Sequence, residues 1–262
     1  MTTGSQEAAQ LLAGAKRLVV KVGSSLVAGG EIFRHDGLAG DLASWPQSLV
    51  LISSGAVALG HRAAPQLSKT TLVERQALSA IGQPLLMARW EQALGGANAR
   101  TAQVLLTPDV TDDPQRRDNA RATLETVLQA GLLPVVNEND TVATDELRYG
   151  DNDRLAAQTA ALVGADVLVL LSDVDGYFAA DPNKDPGAAH WPVIPPAVLA
   201  DPAAHVPEDK SALGTGGMRS KMEAARLAVE AGIPAIIASG RGRGPLKALA
   251  RGEVRASVAL LP

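Results

Sequence analysis

The stretch RLVVKVGSS, Arg17 to Ser25, decides the fold. Six residues rich in Val and Leu predict a buried strand, and the Gly-Ser turn that follows ends it with a lysine near its carboxyl end. The same layout recurs along the chain. Apolar β-type runs stand at Arg17–Val22, Ser48–Ser53, Thr101–Leu106, Leu132–Val136, Asp166–Leu171, Ile233–Ala238 and Val254–Leu260, most of them followed by segments with helical spacing. Within those segments Leu124, Val127 and Leu128, and likewise Leu155, Leu162 and Val163, fall on the steps of a buried helical stripe. Gly131, Gly164 and Gly232 each close a helical run just before a strand. Strands alternating with helices predict an α/β protein with a mainly parallel sheet covered on both faces. The proline-rich stretch Ala179–Asp209 breaks the alternation and reads as an irregular lid or lobe boundary around short elements.

Composition narrows the function classes. The chain has 262 residues, 46% of them hydrophobic, enough for one large domain or two small ones. With 24 Lys+Arg against 28 Asp+Glu, a net charge of −4, and only 3 Trp, 2 Tyr and 2 Phe, it offers neither the basic excess nor the stacking surface of a nucleic-acid binder. The absence of Cys removes disulfides, thiolate metal sites and Cys nucleophiles, and is compatible with a reducing compartment. His35, His61, His190 and His205 lack metal-ligand spacing. No apolar run approaches the ~18–20 residues of a membrane span. The start MTTGSQEAAQLLAGA lacks a basic segment followed by an apolar block, so no secretion signal is read. The expectation is a cytoplasmic protein with no nucleic-acid or membrane partner.

In open α/β sheets ligands bind beyond the carboxyl ends of the strands, which selects five segments. Lys21-Val-Gly23-Ser24-Ser25 sets a lysine beside a turn whose backbone N–H groups suit an anion. Ser53-Ser54-Gly55-Ala56 repeats the strand, turn and helix start, a layout that suits an anion as well as simple capping. Asn137-Glu138-Asn139-Asp140 and Gly150-Asp151-Asn152-Asp153 gather more carboxylates and amides than turns need, and such a cluster calls for a cation, a lysine or a substrate amine. Ser172-Asp173 follows the most apolar strand and is a candidate nucleotide-facing edge. Gly214-Thr215-Gly216-Gly217-Met218-Arg219-Ser220-Lys221 leads into a helix, with glycines that let a phosphate approach the backbone and a lysine on the first turn. Its spacing is neither that of the P-loop nor that of the dinucleotide fingerprint. The run GRGRG at 240–244 lacks a placed lysine and reads as a solvated turn. Two lysines from distant parts of the chain, glycine turns and an acidic cluster are the parts phosphoryl transfer needs. No histidine is grouped to act as a base, and a carboxylate acceptor needs none, being ionised at neutral pH.

Taken together, KVGSS (21–25), SSGAVALG (53–60), PVVNENDTVAT (134–144), GDND (150–153), LSDVDGYF (171–178) and GTGGMRSK (214–221) resemble the amino acid kinase family, and within it the kinases of glutamate. The resemblance implies a three-layer α/β/α sandwich around a mainly parallel, about eight-stranded sheet. It also implies transfer of the ATP γ-phosphoryl group to the side-chain carboxylate of L-glutamate, the first step of proline biosynthesis. By the family pattern Lys21 and Lys221 face the transferring phosphoryl group and Asp153 holds the two lysines. Ser54, Asp140 and Asn152 match the substrate positions. Lys21, Ser172, Asp173, Thr215, Gly216, Gly217, Met218, Arg219, Ser220 and Lys221 match the nucleotide positions. Mg²⁺ is expected with ATP, held through its phosphates rather than by protein ligands. The implied organisation is an N-terminal extension at 1–16 and one kinase domain at 17–262, divided at about 165 into a substrate lobe (17–165) and a nucleotide lobe (166–262). Many bacterial relatives carry a C-terminal PUA domain, which is not expected in a chain ending at Pro262 just after the last strand. A homo-oligomer and a downstream reductase that consumes the acyl phosphate are the implied partners. The alternatives are a kinase of the same fold acting on N-acetylglutamate, aspartate, carbamate or UMP, or a non-catalytic ligand sensor. Asp140 favours an acceptor with a free amine.

Overall fold

The computed structural model describes residues 3–46, 48–95, 100–142, 152–182, 184–206 and 217–260. Nine strands are found among them: β1 (Arg17–Val22), β2 (Ser48–Ser53), β3 (Thr101–Leu106), β4 (Leu133–Glu138), β5 (Val167–Ser172), β6 (Tyr177–Phe178), β7 (His190–Trp191), β8 (Ala235–Ser239) and β9 (Ala256–Ala259). Eleven α-helices accompany them: α1 (Thr3–Gly14), α2 (Ser24–Gly29), α3 (Leu38–Ala43), α4 (Ala56–Ala63), α5 (Leu72–Gly95), α6 (Pro114–Gln129), α7 (Asn152–Val163), α8 (Pro196–Ala200), α9 (Pro202–His205), α10 (Met218–Glu230) and α11 (Pro245–Ala250). The seven strands expected from the apolar runs form one sheet in the order β3-β4-β2-β1-β5-β8-β9. Seven strands, rather than about eight, make this sheet among the described residues. Every pairing in it is parallel except that of β8 with β9. That last reversal escapes a reading based on apolar runs, because a short edge strand looks the same in either direction. β6 and β7 make a separate antiparallel ribbon in the proline-rich stretch.

Alternation along each strand sorts side chains to two faces. On one face Val19, Val50, Ile52, Val136, Leu168, Leu170 and Ile237 pack with Leu124 of α6, Leu155 and Ala156 of α7, and Met222 and Ala225 of α10. On the other, Leu18, Val20, Val22, Leu51, Val135, Val169 and Ile236 pack with Leu12 of α1, Leu59 of α4, Leu86 and Trp90 of α5, and Leu246 of α11. Three layers result, each apolar face withdrawn from water at roughly 25 cal/mol per Å². The residues before β1 belong to this packing: Ala8 and Leu12 of α1 are fully or nearly fully buried.

The chain leaves β1 for β2 on one side and comes back to β5 on the other, so the carboxyl end of β1 is where the order reverses. A crevice opens at such a reversal in open α/β sheets, and Lys21 lies on it.

Candidate active site

Lys21 shares the face of Val19 by alternation, which is the face covered by α7 and α10. The first turns of both helices meet it there. Lys21 Nζ lies 2.6 Å from Asp153 Oδ1, and Lys221 Nζ lies 3.3 Å from Asp153 Oδ2. Ser220 Oγ donates to the same Oδ2 at 2.7 Å and also lies 3.0 Å from the Gly217 carbonyl. All three charged side chains are 5% exposed or less. Burial pushes the Asp153 carboxyl up, but the Lys21 and Lys221 charges and the hydrogen bonds from Lys21 and Ser220 outweigh it and hold the carboxyl far below its ordinary value. One carboxylate against two ammoniums leaves a net positive charge, a place suited to a phosphoryl group.

On the neighbouring strand ends amides and a hydroxyl bond to one another. Asn152, the first residue of α7, donates from Nδ2 to Ser54 Oγ and to Asn137 Oδ1, both at 2.8 Å. Asn137 sits on the β4 face it shares with Val135, toward α5, and its Nδ2 donates to Gln83 Oε1 at 2.7 Å. Among the described residues, Asn152 Oδ1 and Gln83 Nε2 are buried without a hydrogen-bond partner. Each such orphan costs about 1–3 kcal/mol, so each marks a place where a partner is worth having. Asp140, in a short 3₁₀ turn after β4, accepts from the Ser79 hydroxyl of α5. Burial pushes the Asp140 carboxyl above its ordinary value, against the Ser79 hydrogen bond and the Arg75 charge.

The nucleotide-side residues fall at the ends of β5 and α10. Ser172 is buried and donates to Asp173 Oδ1 at 3.1 Å, and its carbonyl accepts from Gly240 N at 2.8 Å. Met218 opens α10 after Gly217, and Arg219 pairs with Glu223 at 3.3 Å. Thr215 and Gly216, with Gly150 and Asp151, lie outside the described residues. The structure thus brings Lys21, Asp153, Ser220 and Lys221 into one contact group and Ser54 and Asn152 into another, with Asp140 held from α5.

Two participants, Ser79 and Gln83, are missed by the sequence reading, and a third, Asn137, belongs to a selected segment without receiving a role there. Arg75, Ser79 and Gln83 stand four apart on α5, a polar stripe on a helix whose neighbouring Leu78, Gly82 and Leu86 are buried. That i, i+4, i+8 spacing was the available signal. Arg241, in the GRGRG turn read as solvated, is 60% exposed and comes within 3.9 Å of Asp173.

No group of three or more His, Cys, Asp or Glu among the described residues is arranged to hold a metal ion, and no helix among them is long and apolar enough to cross a membrane. The amino acid kinase family matches this sequence over residues 16–239. The glutamate 5-kinase of Caulobacter vibrioides (strain NA1000 / CB15N) is 47% identical over an alignment of 267 positions that covers 97% of this chain and 69% of that protein. Glutamate 5-kinase of Gluconobacter oxydans (strain 621H) is 43% identical, covering 92% of this chain and 66% of that protein. Among solved structures, one of isopentenyl phosphate kinase aligns with a TM-score of 0.62 at 16% identity, covering 93% of this chain and 99% of its own. UMP kinase from Bacillus anthracis aligns with a TM-score of 0.62 at 14% identity, covering 94% and 96%. Those two likenesses speak for the fold alone. Because the family match runs through β1, α7 and α10 and the curated relatives align over nearly the whole chain, the protein is a member of the amino acid kinase family.

Proposed function

We propose that the protein transfers the γ-phosphoryl group of ATP to the side-chain carboxylate of L-glutamate, giving L-glutamyl 5-phosphate and ADP, the entry reaction of proline biosynthesis. The observation that carries this reading is the buried Lys21–Asp153–Lys221 group beside Ser54, Asn152 and Asp140. The relatives at 43% and 47% identity bear the name glutamate 5-kinase.

In this reading a glutamate carboxylate oxygen attacks the γ-phosphorus and the β,γ-bridging oxygen leaves with ADP, so no proton has to be removed from the nucleophile. Lys21 and Lys221 neutralise the charge spread over the transferring group, and Asp153 keeps the two ammoniums from repelling each other apart. Ser220 and the start of α10 complete the phosphate side, with Ser172, Asp173, Gly217, Met218 and Arg219 toward the nucleotide. Asp140 takes the α-ammonium, with Asn152 and Ser54 beside it. The Asp153 oxygens are occupied by Lys21, Lys221 and Ser220, so the site suits Mg²⁺ carried on ATP phosphates. When bound, that ion supplies further charge neutralisation on the phosphates.

The same reading divides the chain at about residue 165 into a substrate lobe and a nucleotide lobe. It also includes self-association, supported by the exposed Val73, Ile81 and Leu85 of α5 and Leu105 of edge strand β3. A cytoplasmic location, supported by the absence of Cys, and a reductase that consumes the acyl phosphate complete it. The experiment is ADP release from Mg-ATP with L-glutamate, N-acetyl-L-glutamate, L-aspartate, carbamate or UMP, with hydroxylamine to trap an acyl phosphate. Glutamate-dependent release with hydroxamate formation is expected. Activity with another acceptor reassigns the substrate, and silence on all five returns the sensor.

A further inference from the structure

From the polar stripe of α5 we infer that Ser79 and Gln83 are positioning residues of the acceptor site, holding Asp140 and Asn152 from behind. The inference rests on the reading of Asp140 and Asn152 as acceptor-binding residues. Ser79 acts directly, its hydroxyl donating to Asp140 Oδ2. Gln83 acts through a relay: Gln83 Oε1 accepts from Asn137 Nδ2 at 2.7 Å, and Asn137 Oδ1 accepts from Asn152 Nδ2 at 2.8 Å. The second Nδ2 hydrogen of Asn152 goes to Ser54 Oγ at 2.8 Å. Both amide hydrogens of Asn152 are therefore committed to the protein, and among the described residues its buried Oδ1 is the atom left to accept from a donor such as an ammonium. Turning any one amide of the relay over would set N–H against N–H or oxygen against oxygen, so the three amides hold one another's orientation.

The helix that carries the stripe is itself fixed. Between Ser79 and Gln83, Gly82 packs so closely on α4 that an added Cβ would collide with the Ala56 carbonyl oxygen, and one added to Gly60 of α4 would collide with that of Leu78. This double approach sets the rotation of α5 about its axis, and α4 begins directly after Ser54 and Gly55. Ser79 is 4% exposed, Gln83 6% and Asn137 2%, so the relay is shielded from water that would otherwise compete for its bonds.

The test is a pair of double-mutant cycles on the whole protein, Ser79→Ala with Asp140→Ala and Gln83→Met with Asn152→Ala, read as glutamate KM, ATP KM and melting temperature. Each single α5 change is expected to raise the glutamate KM by about 10-fold, with the ATP KM unchanged. In the background that lacks its target, each change is expected to have no further effect. Gln83→Glu, which keeps an acceptor oxygen for Asn137, is expected to stay within about threefold of the native glutamate KM. If Gln83→Met does not fold, Gln83→Ala is read the same way. The inference is overturned by an unchanged glutamate KM, by equal shifts in both KM values, or by an effect that persists without Asp140 or Asn152. An unchanged glutamate KM in Asp140→Ala and Asn152→Ala themselves would instead break the reading of the site on which it rests.

Discussion

Asp153 and Asp140 are both buried carboxylates beyond the carboxyl ends of the same sheet, and their surroundings push them in opposite directions. Asp153 meets two ammoniums and a hydroxyl, and these overcome burial. At Asp140 burial wins over the Ser79 hydroxyl and the Arg75 charge. The difference separates two kinds of site. A carboxylate saturated by its own protein is a fixture: it holds Lys21 and Lys221 where a phosphoryl group passes. A carboxylate on which burial still weighs gains from a further cation, and an amino acid supplies one as its α-ammonium.

The comparison breaks most directly at the lysines. Lys221→Ala is expected to lower kcat by about 10³-fold, the scale of a lost electrostatic stabiliser, while the fold is kept because Lys21 still pairs with Asp153. Steady-state kinetics alongside a thermal melt check it, and near-native turnover would remove Lys221 from the reaction. The two aspartates then separate by sign in urea denaturation at pH 7. Asp153→Asn leaves two ammoniums packed together and is expected to cost about 3–5 kcal/mol. Asp140→Asn removes a carboxylate that burial disfavours, and is expected to be neutral or stabilising while raising the glutamate KM.

The pH dependence follows from the same directions. Because the folded Asp153 carboxyl titrates below its ordinary value, its contribution to stability is present above about pH 4 and is lost as the pH falls toward the folded value. Asp140 has the opposite sign: its contribution is present below about pH 4 and is lost as the pH rises through the raised folded value. The stabilising effect of Asp140→Asn is therefore expected at neutral pH and should vanish below about pH 4. Protonation of Asp140 also weakens its hold on an ammonium, so the glutamate KM should climb on the acid side more steeply in the native protein than in Asp140→Asn, where the substrate's own carboxyl still titrates near pH 4. Denaturation and KM measured from pH 4 to pH 8 test both.

Much of this arrangement is legible in the sequence because it is carried by local patterns. β1, β2 and β3 stand where the apolar runs put them, and Lys21, Asp153 and Lys221 are read from strand ends and helix starts. Gly131, Gly164 and Gly232, read as helix stops, take φ of 70°, 59° and 79°. What escapes is long-range and neutral. Ser79 meets Asp140 across 61 residues, and Gln83 meets Asn137 across 54. The i, i+4 spacing of Ser79 and Gln83 marks a polar stripe but does not say what either meets, and Pro84 just after Gln83 argues locally against the long helix that delivers them both. The antiparallel β9 and the packed helix α1 escape for a related reason, since both are fixed by tertiary contacts rather than by strong local signals.

Two smaller effects sharpen the contrast between fixed and adjustable parts. Gly82→Ala forces α4 and α5 apart at their crossing and is expected to cost about 1–3 kcal/mol, with glutamate KM rising as the α5 stripe shifts and ATP KM following less. Denaturation and the two KM values check that ordering. At the far end of the scale stands Arg226–Glu230 on the surface of α10, an ion pair at 2.7 Å against 2.6 Å for Lys21–Asp153. Distance alone would make the two pairs equals. The Arg226 and Glu230 side chains are 35% and 56% exposed, so water and salt screen their attraction, and ordering two long side chains offsets what remains. Arg226→Ala is expected to change stability by less than about 0.5 kcal/mol, and less still in high salt. A loss comparable to that of Asp153→Asn would mean that geometry, and not burial, sets the worth of a charge pair in this protein.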